Sequence, residues 1–77
     1  MSTQDCELLI LNELKSTKSE LKFGSLLKSL QKYSKESRIE LTTTLVAVIR
    51  RLIYRGKISM PQGLSIDRLT ESAFKIV

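Results

Sequence analysis

Residues 37–56 constrain this chain more than any other stretch, because a helix start, a helix stop and one apolar stripe fall together there. Ser37 and Glu40 have the spacing of a capping box. The serine oxygen accepts from the Glu40 backbone N–H, and the glutamate reaches back to the serine N–H. At the other end Gly56 can take the left-handed conformation that closes a helix without a Cβ clash, and Arg55 and Lys57 suit the negative end of the helix dipole. At about 100° per residue, Leu41, Leu45, Val48 and Leu52 share one side and Ile49 and Ile53 widen it, which predicts a helix with that stripe in the core. The opposite side carries Thr43, Val46, Ala47, Arg50 and Tyr54, with Arg51 at its margin, and no carboxylate follows Glu40 within the segment.

Size and charge narrow what such a helix is for. A chain of 77 residues, 42% of them hydrophobic, holds one domain spanning residues 1–77 and one core. A core of this size contributes only ~3 to 5 kcal/mol of stability. The net charge is +5, and it is sectored. Residues 1–20 carry two lysines against four acids, residues 21–60 carry nine basic side chains against two acids, and residues 61–77 balance two against two. A cationic middle between neutral and acidic ends points to a polyanionic partner.

Several function classes lose their chemistry at the level of composition. The chain has no histidine and one cysteine, Cys6, so the usual zinc sites cannot be assembled from a single copy. Gly24, Gly56 and Gly63 are too far apart for a phosphate-cradling loop, and the carboxylates are scattered without a pair at catalytic spacing. The reading is a non-enzyme with no metal and no cofactor. Cys6 lies in an apolar run, as a buried small hydrophobe would, and a lone cysteine excludes an intramolecular disulfide and suggests a reducing compartment. Asp5 and Glu7 precede the first apolar run, unlike a secretory leader, and no apolar run approaches the ~18 residues of a membrane span. An intracellular, soluble protein is expected.

The rest of the chain reads as elements packed around the central helix. Ser2 and Asp5 offer a capping box for a first helix over residues 3–16, with Cys6, Leu9, Ile10 and Leu14 on one face and Leu8 and Leu11 broadening it. Residues 16–20 form a polar connection, and Leu21-Lys22-Phe23 forms a short extended piece. Ser25 suits the N-cap of a second helix over residues 25–33 that buries Leu26, Leu27 and Leu30 and turns Lys28 and Lys32 outward. The polar link from Tyr33 to Ser37 is so brief that the second and third helices must cross at an angle, the helix-turn-helix arrangement.

Beyond Gly56 the period changes. Lys57-Ile58-Ser59-Met60 alternates and is stopped by the turn sequence Pro61-Gln62-Gly63, while Ser72 to Val77 is again compatible with a strand, so the two pair as an antiparallel ribbon joined by residues 61–71. A second reading stands beside this one. Ile66, Leu69, Ala73 and Phe74 also fit helical spacing with Ser65 as cap, which leaves residues 64–75 as either wing or fourth helix.

In its element order, and in the run Phe23-Gly24-Ser25-Leu26-Leu27 followed by Leu45, Val48, Leu52, Gly56 and Ile58, the chain resembles the small winged helix-turn-helix transcriptional regulators of archaea, their viruses and bacteria. The likeness spans nearly the whole chain and rests on apolar spacing plus one glycine, which specifies a fold better than a function. It implies an α+β fold of three helices and a C-terminal two-stranded β-ribbon, the wing. It also implies double-stranded DNA as partner, with the third helix in the major groove and the wing on a flanking groove or the backbone. Carried over, Thr43, Val46, Ala47 and Arg50 fall nearest the base edges, with Arg51 and Tyr54 further back, and Thr42 belongs to the same DNA-binding set. Lys28, Lys32, Lys35, Ser37 and Arg38 fall at the phosphates, and Lys57, Gln62 and Arg68 on the wing. The chemistry is compatible: Arg donates two bonds to guanine O6 and N7, and Thr and Ala methyls suit the thymine methyl.

The bland readings are that Lys15, Lys18, Lys22 and Lys75 are solvated charges and that the Thr42–Thr44 run is a solvated first turn. A different class is also open. Phe23-Gly24-x-Leu26 together with Lys57-Ile58 resembles, more weakly, the Costars domain associated with actin-binding proteins, which implies a protein-interaction module without DNA binding. A membrane-surface role for the third helix would expose the apolar face that so small a core needs. Oligomeric state is open between monomer and homodimer.

Overall fold

The computed structural model describes residues 2–17, 19–60 and 66–77. Its elements run α1 (Thr3–Ser16), β1 (Leu21–Lys22), α2 (Phe23–Tyr33), α3 (Arg38–Tyr54), β2 (Ile58–Ser59), a 3₁₀ helix (Ile66–Glu71) and β3 (Ala73–Ile76). The fold is α+β, three helices against a small antiparallel sheet.

Local chemistry sets the limits of α1 and α3. Ser2 Oγ accepts from the Asp5 N–H at 3.1 Å, and Ser37 Oγ accepts from the Glu40 N–H at 3.2 Å, so each helix starts at the capping serine expected of it. At the end of α3, Gly56 takes φ 70. The Gly56 N–H then donates to the Ile53 carbonyl at 3.0 Å and the Lys57 N–H to the Leu52 carbonyl at 2.9 Å, the paired bonds of a Schellman close. Two carbonyls of the last turn are satisfied in this way, and the chain turns directly into β2.

The start of α2 differs from the expectation. The helix begins at Phe23, with Lys22 as a cap that makes no side-chain bond, and Ser25 sits inside its first turn instead of capping it. The cause is tertiary: the Phe23 N–H donates to the Ser72 carbonyl at 3.1 Å, so the sheet satisfies the helix end that a cap would otherwise serve. Ser72 is 2% exposed, and its remaining groups are also used. Its N–H donates to the Leu69 carbonyl at 3.1 Å and its hydroxyl to the Arg68 carbonyl at 2.8 Å.

The ribbon expected at the C-terminal end forms, and it gains a third strand. Pairing is Ile58↔Ile76 and Ser59↔Lys75 between β2 and β3, and Leu21↔Phe74 and Lys22↔Ala73 between β1 and β3. Sheet order is β1-β3-β2, so the sheet has three strands where the sequence suggested two. The two readings of the tail each hold in part. Ile66–Glu71 is a 3₁₀ helix broken at Arg68, whose φ and ψ are −116 and 35, and Ala73–Ile76 is a strand. The Pro61-Gln62-Gly63 turn, the Ser65 cap and the Lys18 charge lie outside the described residues.

One buried cluster joins all of this. Leu41, Leu45, Val48, Ile49 and Leu52 of α3 are at most 1% exposed and pack with Cys6, Ile10 and Leu14 of α1 and with Phe23, Leu26, Leu27 and Leu30 of α2. Ile58, Leu69 and Phe74 close it from the sheet side. Leu8 departs from expectation. Leu8 is 56% exposed, because the buried face of α1 is the narrow stripe Cys6, Ile10, Leu14, whereas Leu9 and Leu11 are half-buried at its edges. Among the described residues, no helix is long and apolar enough to cross a membrane.

Candidate nucleic-acid interface

The third helix is buried along one side by its leucine stripe, and its other side is open. Thr43, Ala47, Arg50, Arg51 and Tyr54 are exposed, Tyr54 at 78%. Thr42 and Val46 are half-buried, and Val46 packs against the core, so it stands at the rim of the open face and not at its centre. The reason is angular: at about 100° per residue, Val46 falls beside Ile53, on the flank of the inner stripe.

The threonine hydroxyls are directed along the helix itself. Thr42 Oγ1 donates to the Arg38 carbonyl at 2.7 Å, and Thr43 Oγ1 donates to the Ile39 carbonyl at 3.0 Å. Both hydroxyl protons are therefore committed, and each side chain is left with a methyl group and an acceptor lone pair.

Cations on this helix divide by their partners. Arg55 Nη1 lies 3.3 Å from Glu7 Oε1 on α1 and pairs with it. Arg50 and Arg51 carry no such pair among the described residues, and both are exposed. The single carboxylate of α3 is Glu40 in its first turn, where it favours the positive end of the dipole and competes with any anion approaching that end.

Lys35, Ser37 and Arg38 are all exposed at the α2–α3 turn, with Lys32 in the last turn of α2 and Lys28 one turn before it, both exposed. These five lie on α2 and on the turn that leads into α3. Lys57 is exposed but stands at the far end of α3, about 25 Å along the helix axis from Arg38. It lines a hollow of about 360 Å³ together with Leu11 and Lys15, on the side of the molecule that α1 occupies. Arg68 is exposed on the 3₁₀ helix. Gln62 lies outside the described residues.

Sequence reasoning passed over Ile39. It is 80% exposed, one turn before Thr43 on the same open face. The signal was present, since a β-branched apolar side chain off the inner stripe has no core to join and therefore ends in water.

Among the described residues no group of three or more His, Cys, Asp or Glu gathers as metal ligands. Burial, with the Glu36 and Glu7 carboxylates adding to it, pushes the Cys6 thiol from its ordinary 9.0 up to about 11, so the thiolate needed of a nucleophile is scarce at neutral pH. Comparison with protein-family models, with curated proteins and with solved structures finds no match.

Proposed function

We propose that this chain is a winged helix-turn-helix protein that binds double-stranded DNA and regulates transcription by occupying its site, with α3 in the major groove and the β2–β3 connection as the wing. The observation that carries the reading is the open face of α3. It is seventeen residues long, without a carboxylate after the first turn, and it holds two arginines unpaired among the described residues. A helix of that width fits the major groove, and small side chains such as Ala47 and Thr43 let its backbone approach the base edges. Element order and the sheet order β1-β3-β2 support the winged reading, because they set α2, a tight turn and α3 ahead of a ribbon. Lys28, Lys32, Lys35 and Arg38 then serve the phosphates, and Arg50 serves a guanine.

Duplex binding measured across salt concentrations tests this directly. Neutralising about 5 to 8 phosphates gives a slope of log K against log[salt] of roughly −4.5 to −7. A flat response rules the reading out. The exposed Ile39 and Tyr54 favour a second reading, a protein-interaction module. That reading expects no duplex-induced shift of the α3 amide resonances at physiological salt.

A further inference from the structure

We propose that the first half of α3 reads thymine C5-methyl groups, with Ile39 as the anchoring side chain and Arg50 marking the point where hydrogen-bond readout begins. This rests on the duplex-binding reading above and specifies the DNA it would select. Apart from the exposed Glu40 of the first turn, the open side of α3 from Ile39 to Ala47 presents Ile39, Thr43 and Ala47, with the half-buried Val46 at its rim. None of them offers a free side-chain donor, because the Thr43 hydroxyl proton is held by the Ile39 carbonyl at 3.0 Å and the other three have no polar atom. What they present is methyl surface, over about 12 Å of helix, the length of three to four base-pair steps.

In the major groove the thymine methyl is the apolar feature that a standard base pair displays; guanine, adenine and cytosine show only acceptors and donors there. Acceptor edges facing this half of the helix would lose their water and gain no side-chain donor, so it disfavours guanine there and favours the thymine methyl. Ile39 is the decisive member. At 80% exposure its side chain hides little apolar surface in the protein alone, so the gain from covering it is still available to a ligand. Arg50, three turns further along, is the first outward side chain able to donate to a base. The preferred site therefore carries thymines under the N-terminal half of α3 and a guanine toward its C-terminal half.

The test begins with selection of preferred duplexes from a random library, followed by replacement of each thymine in the selected site by deoxyuridine. This removes one methyl and leaves pairing and charge unchanged. At one or two positions affinity is expected to fall about three- to fivefold, the worth of a buried methyl. In Ile39→Ala the same replacement at one of those positions should have no further effect, the signature of a direct contact. Because Ile39 is outside the core, that variant keeps the fold, and the deoxyuridine series leaves the protein untouched in any case. Tight, salt-dependent duplex binding that is indifferent to every deoxyuridine overturns the methyl readout and leaves DNA binding standing. Absence of binding to any duplex overturns both.

Discussion

Arg55 at the end of α3 and Glu7 on α1 meet with Nη1 3.3 Å from Oε1, which ties the exit of the third helix to the first half of the first. The arginine side chain is 58% exposed, so water screens most of the attraction. Glu7→Gln should lower the unfolding free energy in urea by less than about 1 kcal/mol. The same change releases a cation, so duplex affinity at low salt should rise. A fall in affinity would mean that Arg55 acts by fixing α3 in place and not as a charge held in reserve.

Gly56 is the second place where one side chain decides a backbone path. Its φ of 70 is left-handed, and nothing lies within 4 Å of where a Cβ would stand. Gly56→Ala therefore costs conformational energy alone, about 1 to 2 kcal/mol. Gly56→Asn should cost less, because asparagine tolerates that region. Denaturation of the two variants, compared with the parent, measures the difference.

Arg50 and Lys32 separate sequence reading from charge. Arg50→Ala should cost about 1 to 3 kcal/mol of binding and relax preference at one base position, whereas Lys32→Ala should weaken selected and scrambled duplexes alike. Competition binding with both duplexes gives the answer. Equal, sequence-blind losses from the two variants would describe an architectural binder instead of a regulator.

Cys6 supplies a pH prediction. Its thiol is raised to about 11 in the folded chain from an ordinary 9.0, chiefly by burial. The folded state therefore holds the proton more tightly than the unfolded state does. The resulting stability is fully present below pH 9 and is lost as pH rises toward 11, by about 2 to 3 kcal/mol in total. The measurement is the difference in slope between the parent and Cys6→Ala. Parallel curves would remove the effect.

What could be read from the chain follows how far each signal travels along it. Ser2, Ser37 and Gly56 act on neighbours within a few residues, and the limits of α1 and α3 lie where those residues place them. Phe23 begins α2 because of a carbonyl on Ser72, and Leu21 pairs with Phe74, so both depend on contacts across most of the chain. Leu21-Lys22 read as a short extended piece and is a strand, but two residues show no period and do not name Phe74 as the partner. On α3, the inner stripe was legible from its spacing, and the open face followed as its complement. Val46 was misplaced because an angle near the edge of a stripe does not say how high the neighbouring elements reach. Ile39 was missed because attention to charge passes over an apolar residue standing in water.

The middle strand of the sheet is β3, and it follows both of its neighbours in the chain. Until β3 emerges from the ribosome, β1 and β2 have no edge to join, Phe23 lacks the acceptor that starts α2, and the core lacks Phe74. The helices can form early as capped local structures, but the domain closes only after synthesis has passed residue 76. Chains truncated before Ala73 should remain sensitive to protease, and chains that include residues 73–76 free of the ribosome should be protected.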